Sequence, residues 1–455
     1  MIDQGMNPVH HKFSRRQWHR LFFPVLLVSL IVISFLAGCQ IQNLVDSSTS
    51  TTATAGLPTT GNDTAAMPAA NSTPVPTASL PDNSLTLVIW LPPQFDPESN
   101  SPAGVHIKNR LESFQTEYPN LTINVRLKAL DGRGGLLDSL ANASMAAPDA
   151  LPALVALQYR DLESAALKGL LLPLDDKTQV YTNADWLPYA TQLGVIQGKH
   201  YGIPFAGDAL ALVYRPSQTP YPPATWQELS LQNLPVIFPA ADPEATVVTT
   251  LYLAAGGNLL DQNNSPVLET APLQKSFTIL NNGIKSGAFP SWLSQYATFT
   301  DSWNAYKEQT SAYAITWTSQ YLSNPPANSA ITALPKTNSK NFTLAQGWVL
   351  CVPEMTSQSQ KYAVLLAEYL SDPNYVDGLD QLAGYLPVYK SGLSINKDPQ
   401  LNQSLSDITS STQILPAGST INLIGPILEG SATQLIKLQV SYQQAINQAL
   451  DHFKK

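Results

Sequence analysis

The amino-acid sequence predicts an α/β fold in which a mostly parallel sheet is covered by helices. The first observation is a repeated alternation of short apolar runs with amphipathic segments, which is typical of strand–helix–strand units. The second is that hydrophobic residues make up 44% of the chain, which supplies an extensive core and excludes global disorder. The third is the length of 455 residues, which accommodates two lobes and an extension.

The regular pattern begins at Leu85. The run Leu85–Trp90 is apolar and stops before two prolines, which predicts a buried strand. Ile107 to Tyr118 reads as an amphipathic helix, and the alternation in Leu121–Leu127 predicts a second strand. The elements expected next are a helix over 136–145, a strand over 154–157 and a helix over 162–169.

These strands fix where a ligand would bind. In open sheets of this kind the carboxyl ends of the parallel strands face the ligand crevice. The loops that start at Trp90, Lys128 and Gln158 each follow a predicted strand. We therefore expect these three loops to converge on one mouth.

The N-terminal segment resembles the signal of a bacterial lipoprotein. A basic stretch precedes an apolar run from Leu21 to Leu36 that ends in Leu-Ala-Gly-Cys at Cys39. The alternative, a transmembrane helix, needs ~20 apolar residues, and Pro24 interrupts the start of this run. The resemblance implies that residues 1–38 are a signal peptide and that Cys39 is acylated and anchors the protein to the membrane.

A linker is expected after the anchor. Residues 40–84 contain no Lys or Arg, show no apolar periodicity and are dominated by Ser, Thr, Ala, Pro and Asn. Such a composition predicts a disordered tether, with an average end-to-end distance of roughly 35–40 Å as a random coil. We assign residues 39–84 to the acylated cysteine and this tether.

Composition argues against several classes of function. A net charge of −8 leaves no general basic character for binding nucleic-acid phosphates. The 2 cysteines, Cys39 and Cys351, form no CxxC pair, and the 6 histidines show no HxxxH spacing, so we expect no metal site. The sequence contains neither GxSxG nor a phosphate-binding Walker loop. Cys351 lies in an apolar run and is expected to be a buried free thiol.

A series of short motifs follows in chain order: PNLTINVRL, LPALVAL, LKGLLLPLDD, GKHYGIPFAGDALALVYR, TWQEL, LAAGGNLLD, AYAITW, GWVLCV and GYLPV. This series is similar to the family 1 extracellular solute-binding proteins of ABC importers, the maltose-binding-protein-like family. The match extends over about Leu85 to Lys455. One departure is Ala153, which follows Pro152 where the family usually has an aspartate.

The resemblance implies a two-lobe periplasmic-binding-protein type II fold, with an interlobe hinge and the ligand held between the lobes. The closing stretch Thr433–Phe453 has an uninterrupted helical pattern and is expected to pack on lobe two. The crossings are expected near Phe205–Leu212, Ile331–Pro335 and Tyr385–Val388. Lobe one is expected over 85–206 and 336–385, and lobe two over 207–335 and 386–455.

Aromatic residues are the first candidates for the cleft, since their flat apolar faces suit the C–H surfaces of a polyhydroxylated ligand. Trp90, Trp317 and Trp348 lie at or beside the ends of strand-like segments, where both a cleft and a core position are open. For Trp303, in a helix-like segment, the sequence leaves the same two alternatives, a cleft position and a core position. Trp226, within TWQEL, indicates helix packing instead.

Polar candidates complete the predicted site. Gln158 and Tyr159, with Arg160, follow a strand end and are expected to form one rim. Asp208 interrupts an apolar stretch where an unpaired carboxylate would be costly. It also falls where the family has an acid that hydrogen-bonds sugar hydroxyls; the alternative is an aspartate that caps the hinge. Tyr385, within GYLPV at the third crossing, is also a candidate for binding the ligand.

These features and the resemblance predict a monomeric, lipid-anchored binding protein on the outer face of the bacterial cytoplasmic membrane. It would capture a neutral solute, a mono- or oligosaccharide, and deliver it to the transmembrane subunits of an ABC permease, with no cofactor and no catalysis. Acids and histidines are sparse near the predicted mouth, which argues against cationic ligands. The alternatives are a saccharide-sensing or adhesive lipoprotein and a lipid-anchored glycoside hydrolase, which needs two carboxylates about 5–10 Å apart.

Overall fold

The structure is a computed structural model that describes residues 84–454, apart from residues 184, 309, 310, 355 and 356. The described residues belong to one compact unit. The predicted signal peptide, the predicted lipidation site Cys39 and nearly all of the predicted tether lie outside the described residues. Over the described part of the chain, no helix is both long enough and apolar enough to cross a membrane.

Strands and helices alternate over the first part of the described chain and less regularly after it. The strands are β1 (Leu85–Leu91), β2 (Leu121–Leu127), β3 (Leu154–Gln158), β4 (Val195–Ile196), β5 (Lys199–His200), β6 (Ile203–Tyr214), β7 (Val236–Ile237), β8 (Tyr313–Trp317), β9 (Ala330–Thr332), β10 (Thr343–Cys351) and β11 (Thr412–Ile414). The helices are α1 (Pro102–Glu117), α2 (Leu136–Ala146), α3 (Tyr159–Leu167), α4 (Pro188–Leu193), α5 (Trp226–Leu231), α6 (Thr246–Ala254), α7 (Thr270–Ser286), α8 (Phe299–Lys307), α9 (Thr318–Leu322), α10 (Ser357–Leu370), α11 (Pro373–Ala383), α12 (Pro399–Ser410), α13 (Gly418–Ile436) and α14 (Tyr442–Phe453).

Within residues 84–454, as described, the main sheet has 9 strands, with β2-β1-β3-β10-β6-β8-β7 as its path, β11 beside β10 and β9 beside β6. The predicted parallel arrangement is confirmed for β1, β2 and β3. Elsewhere the sheet is mixed, because β10 runs antiparallel to both β3 and β6, and β6 runs antiparallel to β8. The expected α/β fold with a two-lobe architecture is confirmed, whereas a mostly parallel sheet describes only its first part.

Strand β6 is continuous through both parts of the sheet. All 12 of its residues are buried. Its first part, from Ile203 to Ala209, pairs with β10, and its second part, from Leu210 to Tyr214, pairs with β8. A further segment crosses beside its middle, where the N–H and C=O of Gly207 exchange hydrogen bonds with Leu386 at 2.9 and 2.8 Å. The crossings expected near 205–212, 331–335 and 385–388 stay predictions.

The ends of two early helices differ from the prediction for local reasons. α1 starts at Pro102, five residues before the predicted start, because the Ser101 side chain accepts a hydrogen bond from the N–H of Gly104 and proline suits the first turn. α3 starts at Tyr159 and ends at Leu167. Gly169 has a φ of +68°, which ends the helical segment.

The prediction of an uninterrupted helix over Thr433–Phe453 is wrong. α13 ends at Ile436, and α14 begins after a separate N-cap at Ser441. Ser441 and Gln444 form a capping box, and Leu438 adopts a left-handed φ of 58°. Apolar periodicity continues across the break because both helices bury one face, so the pattern alone hides the interruption.

Two predicted core positions are confirmed. Cys351 is a buried free thiol at the end of β10, and burial raises its pKa well above the ordinary value. Trp226 opens α5 and is buried with its ring 6.4 Å from that of Phe289, so it packs a helix as expected.

Candidate functional site

The carboxyl ends of two strands approach the middle of β6 from opposite directions. Gln158 ends β3 and is opposite Trp348 of β10, which in turn lies opposite Ala206 of β6. Trp317 ends β8 and lies opposite Leu210 of β6. Because β8 runs antiparallel to β6 whereas β3 runs in the same direction as β6, the two carboxyl ends face each other. The chain segments that follow the two strands therefore meet over residues 206–210, the place referred to below as the cleft.

Asp208 lies at the middle of this stretch and is buried. Its carboxylate accepts hydrogen bonds from the Thr318 hydroxyl at 2.7 Å and from the N–H and hydroxyl of Ser319 at 2.9 and 2.6 Å. These donors begin α9, directly after Trp317. The carboxylate thus fastens the start of α9 to the crossing strand, which is the geometry of the capping alternative; contact between Asp208 and a ligand stays a prediction.

Burial controls the charge of this aspartate. Desolvation raises the pKa of Asp208 to about 6, although the hydrogen bonds from Ser319, Thr318 and the Ala209 N–H act in the opposite direction. A carboxyl group with this pKa changes charge within the mildly acidic range. The hinge stretch therefore contains a titrating group.

An aromatic cluster lies beneath the cleft beside β6. The Phe95 ring centroid is 4.9 Å from that of Phe205, 5.6 Å from that of Trp348 and 5.6 Å from that of Tyr385. The Tyr385 hydroxyl hydrogen-bonds with the side chains of Trp348 and Gln94, and burial raises the pKa of Tyr385. Two of the predicted site residues, Trp348 and Tyr385, are thus brought together by packing.

Three of the four candidate tryptophans are mostly enclosed. Trp303 lies in α8 with its ring 5.3 Å from that of Tyr306 and nearly parallel to it. Trp317 is partly exposed and has its ring 5.5 Å from that of Phe299. The exposed fractions of the enclosed three are 3% for Trp90, 5% for Trp303 and 2% for Trp348. Trp317 is therefore the candidate tryptophan with a face that a ligand can reach, and contact of the other three with a ligand stays a prediction.

Trp90 has a polar surrounding at the end of β1. The Lys128 ammonium lies 4.6 Å from the centre of its ring, a cation–π distance. The indole N–H of Trp90 has no hydrogen-bond partner among the described residues. Lys128 follows β2, so the expected convergence of the loops after Trp90 and Lys128 is observed.

The rim predicted at Gln158, Tyr159 and Arg160 forms the start of α3. Gln158 and Tyr159 are partly buried, and burial together with the nearby Glu163 raises the pKa of Tyr159. Arg160 pairs with Glu244, which lies between β7 and α6. The rim after β3 therefore meets the chain that follows β7.

Several acidic residues lie near the start of α3. Burial and the neighbouring Asp131 raise the pKa of Asp161, in α3, to about 6. Burial is also the main cause that raises the pKa of Glu244; Asp242 adds to it and Arg160 opposes it. Whether these acids border a ligand is not decided by these contacts, so the expected scarcity of acids at the mouth stays a prediction. Within the described residues, no three His, Cys, Asp or Glu side chains are grouped as metal ligands.

Sequence reasoning missed the partners of the predicted residues. Thr318 and Ser319 directly follow Trp317, and Glu244 belongs to the loop after β7. The strand-end rule that selected Gln158 applies to these positions as well, but β7 has only 2 residues and gives little periodicity. The hydroxyl pair of Thr318 and Ser319, directly after a predicted strand, was the sequence signal that could have identified the partners of Asp208.

Two facing strand ends over a continuous crossing strand are the geometry of a two-lobe α/β fold. The model of the family described as "Bacterial extracellular solute-binding protein" matches residues 109–403. The match covers more than half of the chain, and the protein belongs to this family.

Solved structures share the fold at low sequence identity. The chain is similar to the sugar-binding protein MalE of Xanthomonas citri, with 18% identity, a TM-score of 0.66 and coverage of 81% of this chain and 97% of that one. It is also similar to the cyclic α-maltosyl-1,6-maltose-binding protein of Arthrobacter globiformis, with 17% identity, a TM-score of 0.66 and coverage of 82% of this chain and 98% of that one. A third similar structure is an ABC transporter solute-binding protein of Thermotoga lettingae bound to α-D-tagatose, with 20% identity, a TM-score of 0.60 and coverage of 81% of this chain and 99% of that one. No curated protein sequence matches this chain.

Proposed function

We propose that the protein captures a neutral saccharide between its two lobes and delivers it to the transmembrane subunits of an ABC importer. The observation that carries this proposal is the meeting of the ends of β3 and β8 over the middle of β6, where groups from both sides border one cleft. Similar structures of proteins that bind maltose, maltodextrin, a cyclic maltosaccharide or tagatose support a sugar as the ligand.

The cleft offers both kinds of group that a sugar needs. Trp317 presents a partly exposed indole to an apolar sugar face. Gln158, Tyr159 and Arg160 supply amide, hydroxyl and guanidinium groups for hydrogen bonds to hydroxyls, and bonds to charged groups are the stronger ones. The proposed site also includes five more enclosed residues that lie behind this surface: Tyr385, Trp90, Trp303, Trp348 and Asp208.

Binding by both lobes explains transport without chemistry on the solute. Contacts that a sugar makes only when the lobes are closed shift the population toward the closed form, which the permease then recognises. For this mechanism we assign lobe one to 85–206 and 336–385, and lobe two to 207–335 and 386–455. Strand β6 and the 385–388 segment connect them.

A saccharide panel tests the proposal. We expect at least one mono- or oligosaccharide to raise the melting temperature, with the sugar recovered unchanged after incubation. A panel without any stabilising sugar would contradict sugar binding, and release of a shorter sugar would favour a glycosidase instead.

With that sugar, Trp317→Ala is expected to weaken binding by about 2 kcal/mol or more, because a contacting aromatic side chain is removed from the ligand surface. Calorimetric titration measures the change. Tyr221→Ala is the control, since Tyr221 is 84% exposed in the loop after β6 and its removal should leave affinity unchanged. Equal affinities for wild type and Trp317→Ala would remove this residue from the site.

We further propose that residues 1–38 are removed and that Cys39 is acylated, so that the folded part is held at the outer face of the cytoplasmic membrane by residues 40–84. Several acyl chains hold a protein on a membrane firmly, whereas one binds only marginally. Membership of an extracellular solute-binding family supports an extracytoplasmic location.

Cys39→Ser is expected to abolish labelling by a palmitate analogue and to move the protein from the membrane fraction to the soluble fraction. Cys351→Ser is the matched control, because Cys351 is buried in the folded part and should not be acylated. Undiminished labelling of Cys39→Ser would contradict lipidation at this position.

A further inference from the structure

The start of α3 contacts chain segments assigned to the opposite lobe at two places. Arg160 and Glu244 form an ion pair whose side chains are 24% and 40% exposed, so the pair is partly shielded from water. Arg160 follows β3 of lobe one, whereas Glu244 follows β7 of lobe two. The ion pair therefore bridges the cleft.

The second contact lies one helical turn further along α3. Glu163 is buried, and one oxygen of its carboxylate accepts a hydrogen bond of 2.7 Å from the N–H of Gly418. Gly418 is the first residue of α13, where backbone N–H groups lack partners within the helix and the helix dipole favours a negative charge. Glu163 thus caps a helix that belongs to the other lobe.

The two contact points on lobe two are parts of one packed surface. Gly425 of α13 lies so close to the chain at Pro243 and Glu244 that a β-carbon at this position would be 2.8 Å from the Pro243 carbonyl oxygen. α13 and the loop that carries Glu244 therefore pack directly against each other. A single face of α3 touches both.

The ion pair is suited to opening. Burial and Asp242 raise the pKa of Glu244 in spite of Arg160, which shows that the attraction does not fully offset the desolvation of the carboxylate. The Nη2 atom of Arg160 is buried and has no hydrogen-bond partner among the described residues. The guanidinium of Arg160 therefore keeps an unused hydrogen-bond donor that a polar solute can satisfy.

We propose that these two contacts, Arg160 with Glu244 and Glu163 with the start of α13, form a latch that holds the lobes close together before any solute binds. This inference rests on the proposed two-lobe function. The latch determines how much of the ligand-free population is already closed, and hence how much closure free energy a solute must supply.

The test measures the interlobe distance in ligand-free protein. Spin labels are placed on the full chain at Arg133→Cys, in the loop after β2, and at Gln295→Cys, next to Tyr296, whose carbonyl accepts from the N–H of Ala241 after β7. The background carries Cys39→Ser, and Cys351 is fully buried and remains unlabelled. Pulsed dipolar spectroscopy then reports the distance distribution between the lobes.

Arg160→Gln and Glu244→Gln are each expected to shift the distribution to longer distances, and Glu163→Gln to do so as well. The double variant Arg160→Glu with Glu244→Arg should return it toward the wild-type distribution. The matched control is Lys108→Gln, which removes the exposed ion pair of Lys108 with Glu98 in lobe one and should change nothing. One molar salt should lengthen the distance in wild type but not in Arg160→Gln.

Unchanged distributions in all three single variants, with wild-type melting behaviour, would overturn the latch. That outcome would leave sugar binding standing, since a saccharide can still shorten the distance. Conversely, lengthened distances in a protein that binds no saccharide would support the latch and contradict the proposed ligand. If Arg160→Gln fails to fold, Glu244→Gln decides the question. Glu244 lies in a loop and its side chain is 40% exposed, so the fold should tolerate this change.

Discussion

Replacing Trp348 with alanine is expected to lower the free energy of unfolding by about 3–5 kcal/mol, the cost of removing a large buried aromatic side chain. The indole is 2% exposed and meets the Phe95 ring edge-on at an interplanar angle of 88°. It lies in the strand between β3 and β6, so a cavity there opens at the centre of the sheet. Denaturant unfolding of ligand-free protein measures the loss.

Trp317→Ala serves as the comparison, because its indole is already partly exposed and less apolar surface leaves the core. Trp348→Phe should recover part of the stability by refilling the cavity. A Trp348→Ala protein as stable as wild type would show that the indole packs little and would return it to the set of direct ligand contacts.

Asp208→Asn is expected to remove a pH dependence of stability. The unfolded state has the ordinary pKa of 3.8 and the folded state a pKa of about 6, so the folded protein holds a proton that the unfolded chain has lost. Stability from this group is therefore full below about pH 4 and is lost as the pH rises through 6. Over this range wild type should lose roughly 3 kcal/mol relative to Asp208→Asn, at about 1.4 kcal/mol for each unit of pKa difference.

Unfolding titrations from pH 4 to pH 8 compare the two proteins. Asp208→Ala is the control for hydrogen bonding, since it leaves the Thr318 and Ser319 donors without their acceptor and should be less stable than Asp208→Asn at every pH, by about 1–3 kcal/mol for each buried donor left unsatisfied. Parallel pH profiles for wild type and Asp208→Asn would contradict the raised pKa.

Local patterns predicted the strands well because burial imposes a period that the sequence carries. The alternation in Leu121–Leu127 gave both ends of β2 correctly, and the apolar run at Leu85 gave the start of β1. The crossing at 205–212 could be placed only by resemblance, since a continuous buried strand looks the same whether it lies within one lobe or between two.

Side-chain surroundings were beyond the reach of the sequence. Whether a tryptophan at a strand end faces a cleft or a core depends on neighbours such as Phe95, which lies more than 250 residues before Trp348 in the chain. The same applies to Asp208, whose donors follow β8. The pairing of Arg160 with Glu244 likewise depends on how two loops converge, which no local pattern encodes.

The position of β10 has a consequence for how the chain folds. Residues 343–351 insert between β3 and β6, which precede them by well over a hundred residues. A chain that emerges N-terminus first therefore presents two unpaired strand edges until this late segment arrives. Pairings of such high sequence separation are slow to form, because the entropy of closing a long loop is lost before the contacts are gained. During that interval the exposed edges are open to association with other chains.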